Sequence, residues 1–199
     1  MSNDFWNKRY SEPEFAYGTK PNEFLKEQIA KLNPGTALFL GEGEGRNAVY
    51  AAKLGWQVDA VDFSSSAKEK ALRLAKENNV TINYAVNDFD QYQFAKNQYD
   101  LVVMIFLHLP MGTNQIIFQG SISSLKTNGK LIIESFSKEQ INNSSGGPKD
   151  IELLFSEKAL LKLVLELKTE LVESKTIHLD EGNYHKGQAN VIRYVGVKV

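Results

Sequence analysis

The chain has no cysteine. Disulfides, a cysteine nucleophile, thiolate-bound zinc and cysteine-ligated iron–sulfur clusters are therefore excluded. An excess of one charge is also missing: 23 lysines and arginines stand against 24 aspartates and glutamates, a formal net charge of -1. Such balance advertises neither nucleic acid nor an anionic lipid surface. The longest uninterrupted apolar run is Leu101–Leu107, seven residues, far short of the about twenty that a membrane-spanning helix needs. Met1 to Trp6 offer no basic start and lead into no apolar stretch, so a secretory signal is not expected. Repeats and low-complexity tracts are lacking too. The expectation is a cytoplasmic protein with no membrane and no nucleic acid partner, monomeric or homodimeric.

What is present is an ordinary globular composition, 42% apolar and 24% charged over 199 residues. A single domain of that size buries roughly 70% of its unfolded surface and needs no metal or disulfide staple. Apolar patterning and turn residues predict a helix capped by Asn22 and stopped at Asn33-Pro34-Gly35. Strands follow at Thr36–Leu40, Gln57–Val61, Thr81–Val86, Tyr99–Leu107 and Lys130–Phe136. Helices are predicted over Arg46–Leu54, from the serines 64–66 to about Asn78, over Asn114–Leu125 and over Glu157–Leu165 behind a Ser156 cap. Two longer strands, 168–179 and 189–198, are joined by a loop only. Strand–helix alternation implies right-handed crossovers and a parallel sheet, and the loop implies a terminal antiparallel hairpin. Residues 1–35, rich in aromatics, are placed as a flap over one edge of the sheet.

Gly41-Glu42-Gly43-Glu44-Gly45-Arg46-Asn47 lies between a predicted strand and a predicted helix. Glycines there permit a tight turn and close approach of a ligand to the backbone. Asp62 lies 21 positions beyond Gly41 at the end of the next strand, where an acidic residue can accept ribose hydroxyls in nucleotide-binding α/β folds. Phe63 is placed against an adenine face, and Asp88 and Phe89, after the third strand, beside the same base. The dinucleotide pattern requires a third glycine where this chain has Arg46. Glu42 and Glu44 would meet a pyrophosphate with like charge. A ligand carrying a sulfonium and an amino group suits them better, which favours S-adenosylmethionine over a nicotinamide dinucleotide.

Several stretches together resemble the class I S-adenosylmethionine-dependent methyltransferases, and within them the small bacterial subgroup related to the tellurite-resistance methyltransferases. They are Phe5–Tyr10, Phe15–Gly18 with Pro21-Asn22, Leu40–Val49, Val61–Ser64, Phe106–Pro110, Glu134–Phe136 with Ser145–Pro148, and Glu181–Gly187. The resemblance implies a Rossmann-like three-layer α/β/α fold, a seven-stranded sheet of order 3-2-1-4-5-7-6 and one methyltransferase domain over 1–199. It implies that Gly41, Gly43 and Gly45 pass under the methionine part of the cofactor, with Glu42, Arg46 and Asn47 in the same turn. Asp62 would hold the ribose, Asp88 and Phe89 would border the adenine, and Ile105 and Phe106 would lie near the cofactor. Members often carry an acidic residue where this chain has Phe39, so the methionine amino group must find another acceptor, such as Glu42.

For chemistry, His108, Glu134 and His185 are the candidates. His108 follows the most apolar strand, as a base or as a loop anchor. His185 lies in the terminal hairpin loop, at the expected mouth of the pocket. Glu134 interrupts an apolar strand, where a charge is costly unless solvated or paired; substrate, His185 or Arg46 are its candidate partners. These three give no metal-ligand spacing. Arg46 is expected to pair with Glu44 or Asp62. Tyr17, beside Gly18, is the preferred aromatic contact for a sulfonium. Methyl transfer to a small-molecule acceptor follows, a thiol or a tellurium or selenium oxyanion among the possibilities. The alternatives are a noncatalytic binder of the same cofactor, or a methyltransferase acting on protein or nucleic acid.

Overall fold

The computed structural model describes residues 3–199. In chain order the elements are α1 (Asn3–Tyr10), α2 (Glu23–Ile29), β1 (Thr36–Leu40), α3 (Arg46–Lys53), β2 (Gln57–Asp62), α4 (Ser65–Glu77) and β3 (Asn83–Val86). There follow β4 (Tyr99–Ile105), α5 (Met111–Ser124), β5 (Leu125–Phe136), α6 (Glu157–Leu163), β6 (Lys168–Glu181) and β7 (His185–Val197), with short 3-10 turns at Lys138–Asn142 and Ile151–Leu153. One seven-stranded sheet has the order β3-β2-β1-β4-β5-β7-β6. The first five of these strands run parallel, and β7 runs antiparallel to both β5 and β6. Among the described residues no helix is long and apolar enough to cross a membrane.

The uninterrupted apolar run in β4 follows from its central place, covered on both faces. Val103 and its neighbours Phe39 and Ile132 belong to one core layer, whereas Val102, Leu38 and Ile133 belong to the other. The capping residues act locally as their chemistry dictates. Asn22 accepts from Leu25 N–H, Ser64 from Ala67 N–H and Ser156 from Ala159 N–H.

Three features refine the expected layout. The N-terminal stretch forms a helix of its own, α1, which packs on α4 and roofs the first loop. Residues 137–150, polar and predicted from the sequence as a long loop, contain a 3-10 turn and a buried Ser145, whose hydroxyl donates to Gln188 O and accepts from Gln140 Nε2. The terminal hairpin turn is shorter than predicted, because Asp180, Glu181 and His185 lie in the strands. Gly182 takes a left-handed φ of +68° there, and a Cβ on it would come within 2.5 Å of Ala16 O. The N-terminal segment is thus seated directly on the hairpin turn, with Asn183 N–H donating to Ala16 O at 3.1 Å.

Candidate active site

A cavity of about 530 Å³ opens beyond the carboxyl ends of the parallel strands, within the range of small-molecule sites. Its floor is the first glycine loop. Gly41, Gly43 and Gly45 all have positive φ. Gly41 and Gly43 line the cavity; Gly45 does not. A Cβ on Gly45 would lie 2.7 Å from Ala71 Cβ, so this glycine serves the close approach of α3 to α4 and not the ligand.

The two glutamates of the loop have different duties. Glu42 Oε1 accepts from Asn47 N–H at 2.9 Å and Ala48 N–H at 2.8 Å. It therefore caps α3, whose own N-cap, Gly45, has no side chain to do so. The carboxylate takes the place at a helix N-terminus where a phosphate would otherwise sit. Burial pushes Glu42 up to about 7, against the lowering effect of those N–H donors and of Arg46. Glu44 faces Lys70, at 2.7 Å, and accepts from Ala16 N–H, also at 2.7 Å. Its charge is spent on clasping the N-terminal segment. The sequence predicts a pair of Arg46 with Glu44 or Asp62; the structure instead pairs it with Glu181, at 2.9 Å. Its Nη1 is buried without a hydrogen-bond partner, and the residue lines the cavity.

Asp62 closes β2 and is 5% exposed. Its Oδ2 accepts from Gly43 N–H and its Oδ1 from Ser64 N–H, each at 3.0 Å, which orients the carboxylate at the cavity wall. Burial raises it to about 6 despite these donors. Phe63 and Phe89 meet edge to face at 5.9 Å, and both line the same end of the cavity. Asp88 is exposed and outside the lining, because the turn after β3 aims it at solvent while burying Phe89. Asn47, Ile105, Phe106 and Tyr17 are all in the wall. Tyr17 O–H accepts from Arg9 Nη1 at 2.9 Å, and Arg9 lies over the Tyr184, Phe5 and Trp6 rings.

At the other end lies His185, its ring 4.4 Å from Tyr17, 4.7 Å from Phe106 and 5.3 Å from Phe136. Phe106 reaches this place through a left-handed φ of +53°, unusual for a bulky residue. His185 Nδ1–H donates to Glu181 Oε2 at 3.2 Å. A carboxylate only accepts, so Nδ1 carries the proton and Nε2 keeps its lone pair. Burial lowers the affinity of His185 for a second proton, and the Glu181 charge only partly offsets this. Burial would raise Glu181, but the His185 bond and the Arg46 guanidinium outweigh it and hold the carboxyl at about 2.

His108 also lines the cavity, but both of its nitrogens are engaged. Nδ1–H donates to Leu153 O at 2.8 Å, and Nε2 accepts from Phe136 N–H at 3.3 Å. With burial lowering it to about 4, the ring is a neutral loop anchor rather than a base. Glu134 is 0% exposed and absent from the cavity wall. Its partners are Asn22 Nδ2 at 2.6 Å and Arg193 Nε at 2.5 Å, not His185 or Arg46. Arg193 sits directly across from it in the β5–β7 register. Sequence reasoning gave no site role to Glu181, Arg9 or Asn22; Glu181 four places before His185, facing it across a tight turn, was the available signal.

The chain is similar to known proteins in sequence and in fold. Residues 37–129 match the family described as methyltransferase domain. Ubiquinone biosynthesis O-methyltransferase of Rickettsia akari is 31% identical over 147 residues, 69% of this chain and 57% of that protein. The chain thus spans little more than half the length of that relative. TehB from Haemophilus influenzae shares the fold at a TM-score of 0.74 and 17% identity, over 99% of this chain and 67% of that one. So does the N-methyltransferase NodS from Bradyrhizobium japonicum, solved with S-adenosyl-L-homocysteine, at a TM-score of 0.74 and 14% identity over 98% and 97% of the two chains. Residues 37–129 are thus similar to the methyltransferase domain family, and the chain as a whole has the fold of these methyltransferases.

Proposed function

We propose that this protein methylates a small molecule whose attacking atom carries an acidic proton, a hydroxyl or a thiol, with His185 as the base. The observation that carries the cofactor half is Glu42 seated on the N-terminus of α3. It closes that terminus to a pyrophosphate and offers a carboxylate to an ammonium group. The buried, unpartnered Arg46 Nη1 fits the carboxylate of a methionine moiety. Asp62 is the acceptor for ribose hydroxyls, and Phe63 and Phe89 flank an adenine. When bound, S-adenosylmethionine supplies a methyl group on a positively charged sulfonium.

The chain's own groups then orient the acceptor, exclude water and move one proton. Arg9, Tyr10 and Tyr17 close the roof, and His185 Nε2 receives the acceptor's proton. An already ionised metalloid oxyanion would not use that lone pair, which is why a protonated acceptor is preferred. The O-methyltransferase relative supports an oxygen acceptor. The test is transfer of labelled methyl from S-adenosylmethionine to catechol, a small thiol, selenite and tellurite. Turnover with catechol or the thiol supports the reading, and turnover confined to selenite or tellurite overturns it. Intact cofactor binding with no transfer to any acceptor would mark a noncatalytic binder.

A pH dependence follows from the two raised carboxyls. Glu42 at about 7 and Asp62 at about 6 are ionised only above those values in the free protein. The cofactor's ammonium and hydroxyls bind the ionised forms. Affinity for S-adenosylhomocysteine is therefore full above about pH 7 and declines as pH falls through 7 to 6, up to about tenfold per unit for each group titrated. Calorimetry from pH 8 to 5.5 reads this directly; a constant affinity across the range would remove both carboxylates from the cofactor contact.

A further inference from the structure

We propose that Asn22 is a positioning residue for His185, acting through Glu181. The inference rests on the reading of His185 as the base. Asn22 sits where the N-terminal segment turns into α2 and is 2% exposed. Each of its polar groups has a separate task. Oδ1 caps α2, accepting from Leu25 N–H at 3.0 Å. The backbone N–H donates to Asn47 Oδ1 at 2.9 Å. Nδ2 donates to Glu134 Oε1 at 2.6 Å and to Glu181 Oε1 at 3.2 Å.

The helix cap alone does not explain an asparagine. Serine, aspartate or even glycine serves nearly as well at such a position. What only an amide supplies is a pair of donors set between two carboxylates. Aspartate would instead put a third negative charge into a buried cluster. The second donor fixes Glu181 from one side, through Oε1. Arg46 Nη2 and His185 Nδ1 hold it from the other, both at Oε2, at 2.9 and 3.2 Å. With both oxygens tied, the carboxylate has one orientation, and that orientation selects the Nδ1–H form of His185. Other charged or titratable groups near the imidazole are Arg9, Arg46, His108 and Tyr17. Among the described residues, none but Glu181 makes a hydrogen bond to the ring.

Tyr10 and Tyr17, which roof the cofactor end, lie in the same segment as Asn22. The segment that roofs the cavity therefore also carries the residue that sets the base.

The test reads the imidazole itself, with neither donor nor acceptor present. Full-length protein labelled with nitrogen-15 in histidine is observed at pH 8 by long-range proton–nitrogen correlation, and His185 is identified by its loss in His185→Gln. The wild type should show a single neutral form protonated on Nδ1. Asn22→Ser and Asn22→Gly both keep a competent cap, so either alone suffices if the other does not fold. Each should show loss of the single form, with both tautomers populated. A folded Asn22 variant that retains the wild-type pattern would overturn the proposal and leave the assignment of His185 as base untouched. That assignment fails separately, if removing the imidazole leaves methyl transfer intact.

Discussion

Lys70→Ala is expected to lower the stability of the protein by about 3–5 kcal/mol, the cost of leaving one member of a buried ion pair alone. The Lys70 and Glu44 side chains are 8% and 3% exposed, and their charged atoms stand 2.7 Å apart. Lys70 Nζ also donates to Glu14 O. Without the ammonium, Glu44 keeps only backbone donors in a site whose burial already raises its pKa. At roughly 2–4 °C per kcal/mol for a chain of this size, the melting midpoint should fall by about 10 °C. The double variant Lys70→Met, Glu44→Leu should recover much of the loss, since an apolar pair of similar volume carries no desolvation cost. A melt of the single variant within about 2 °C of wild type would show that the pair is solvated and that Glu44 does not clasp the N-terminal segment.

His185→Ala should reduce methyl transfer by about 10²–10⁴-fold, the usual contribution of a positioned base. Affinity for S-adenosylhomocysteine should change little, because the substitution leaves the ribose, adenine and methionine contacts in place. The pH profile gives a second reading. A base acts in its neutral form, above its own pKa, and burial holds that of His185 below the ordinary histidine value. The acid limb of kcat should therefore lie below about 6.5, while kcat/KM also carries the loss of cofactor affinity as Glu42 and Asp62 protonate. Equal losses of kcat and of cofactor affinity in His185→Ala would recast the residue as a wall of the binding site.

The strand order was legible only through the family resemblance. The elements, the parallel sheet with its terminal hairpin and the glycine loop were legible because they depend on local pattern, and β4 declares its burial on both faces through its apolar run. Asp62 was legible for the same reason, as a fixed offset from the loop to the end of the next strand. The partners of the buried charges were not. Asn22 and Glu181 are 159 residues apart, and Glu134 meets Arg193 only because of the β5–β7 register. A sequence shows that a glutamate in an apolar strand needs a partner, not which cation the register delivers. Glu42 and Glu44 look alike in the chain, yet one caps a helix and the other binds a lysine. Asp88 and Phe89 are adjacent, and the turn after β3 sends one outward and the other inward.

Calorimetric titration with S-adenosylhomocysteine and, separately, with NAD tests the central claim most directly, in wild type and in Asp62→Ala. The account predicts saturable binding of the first compound only. It also predicts that Asp62→Ala weakens that binding by about 100-fold, the loss of two hydrogen bonds to a charged acceptor at about 1.5 kcal/mol each. Heat of binding from NAD alone, or an Asp62→Ala variant that holds S-adenosylhomocysteine as tightly as wild type, would contradict it.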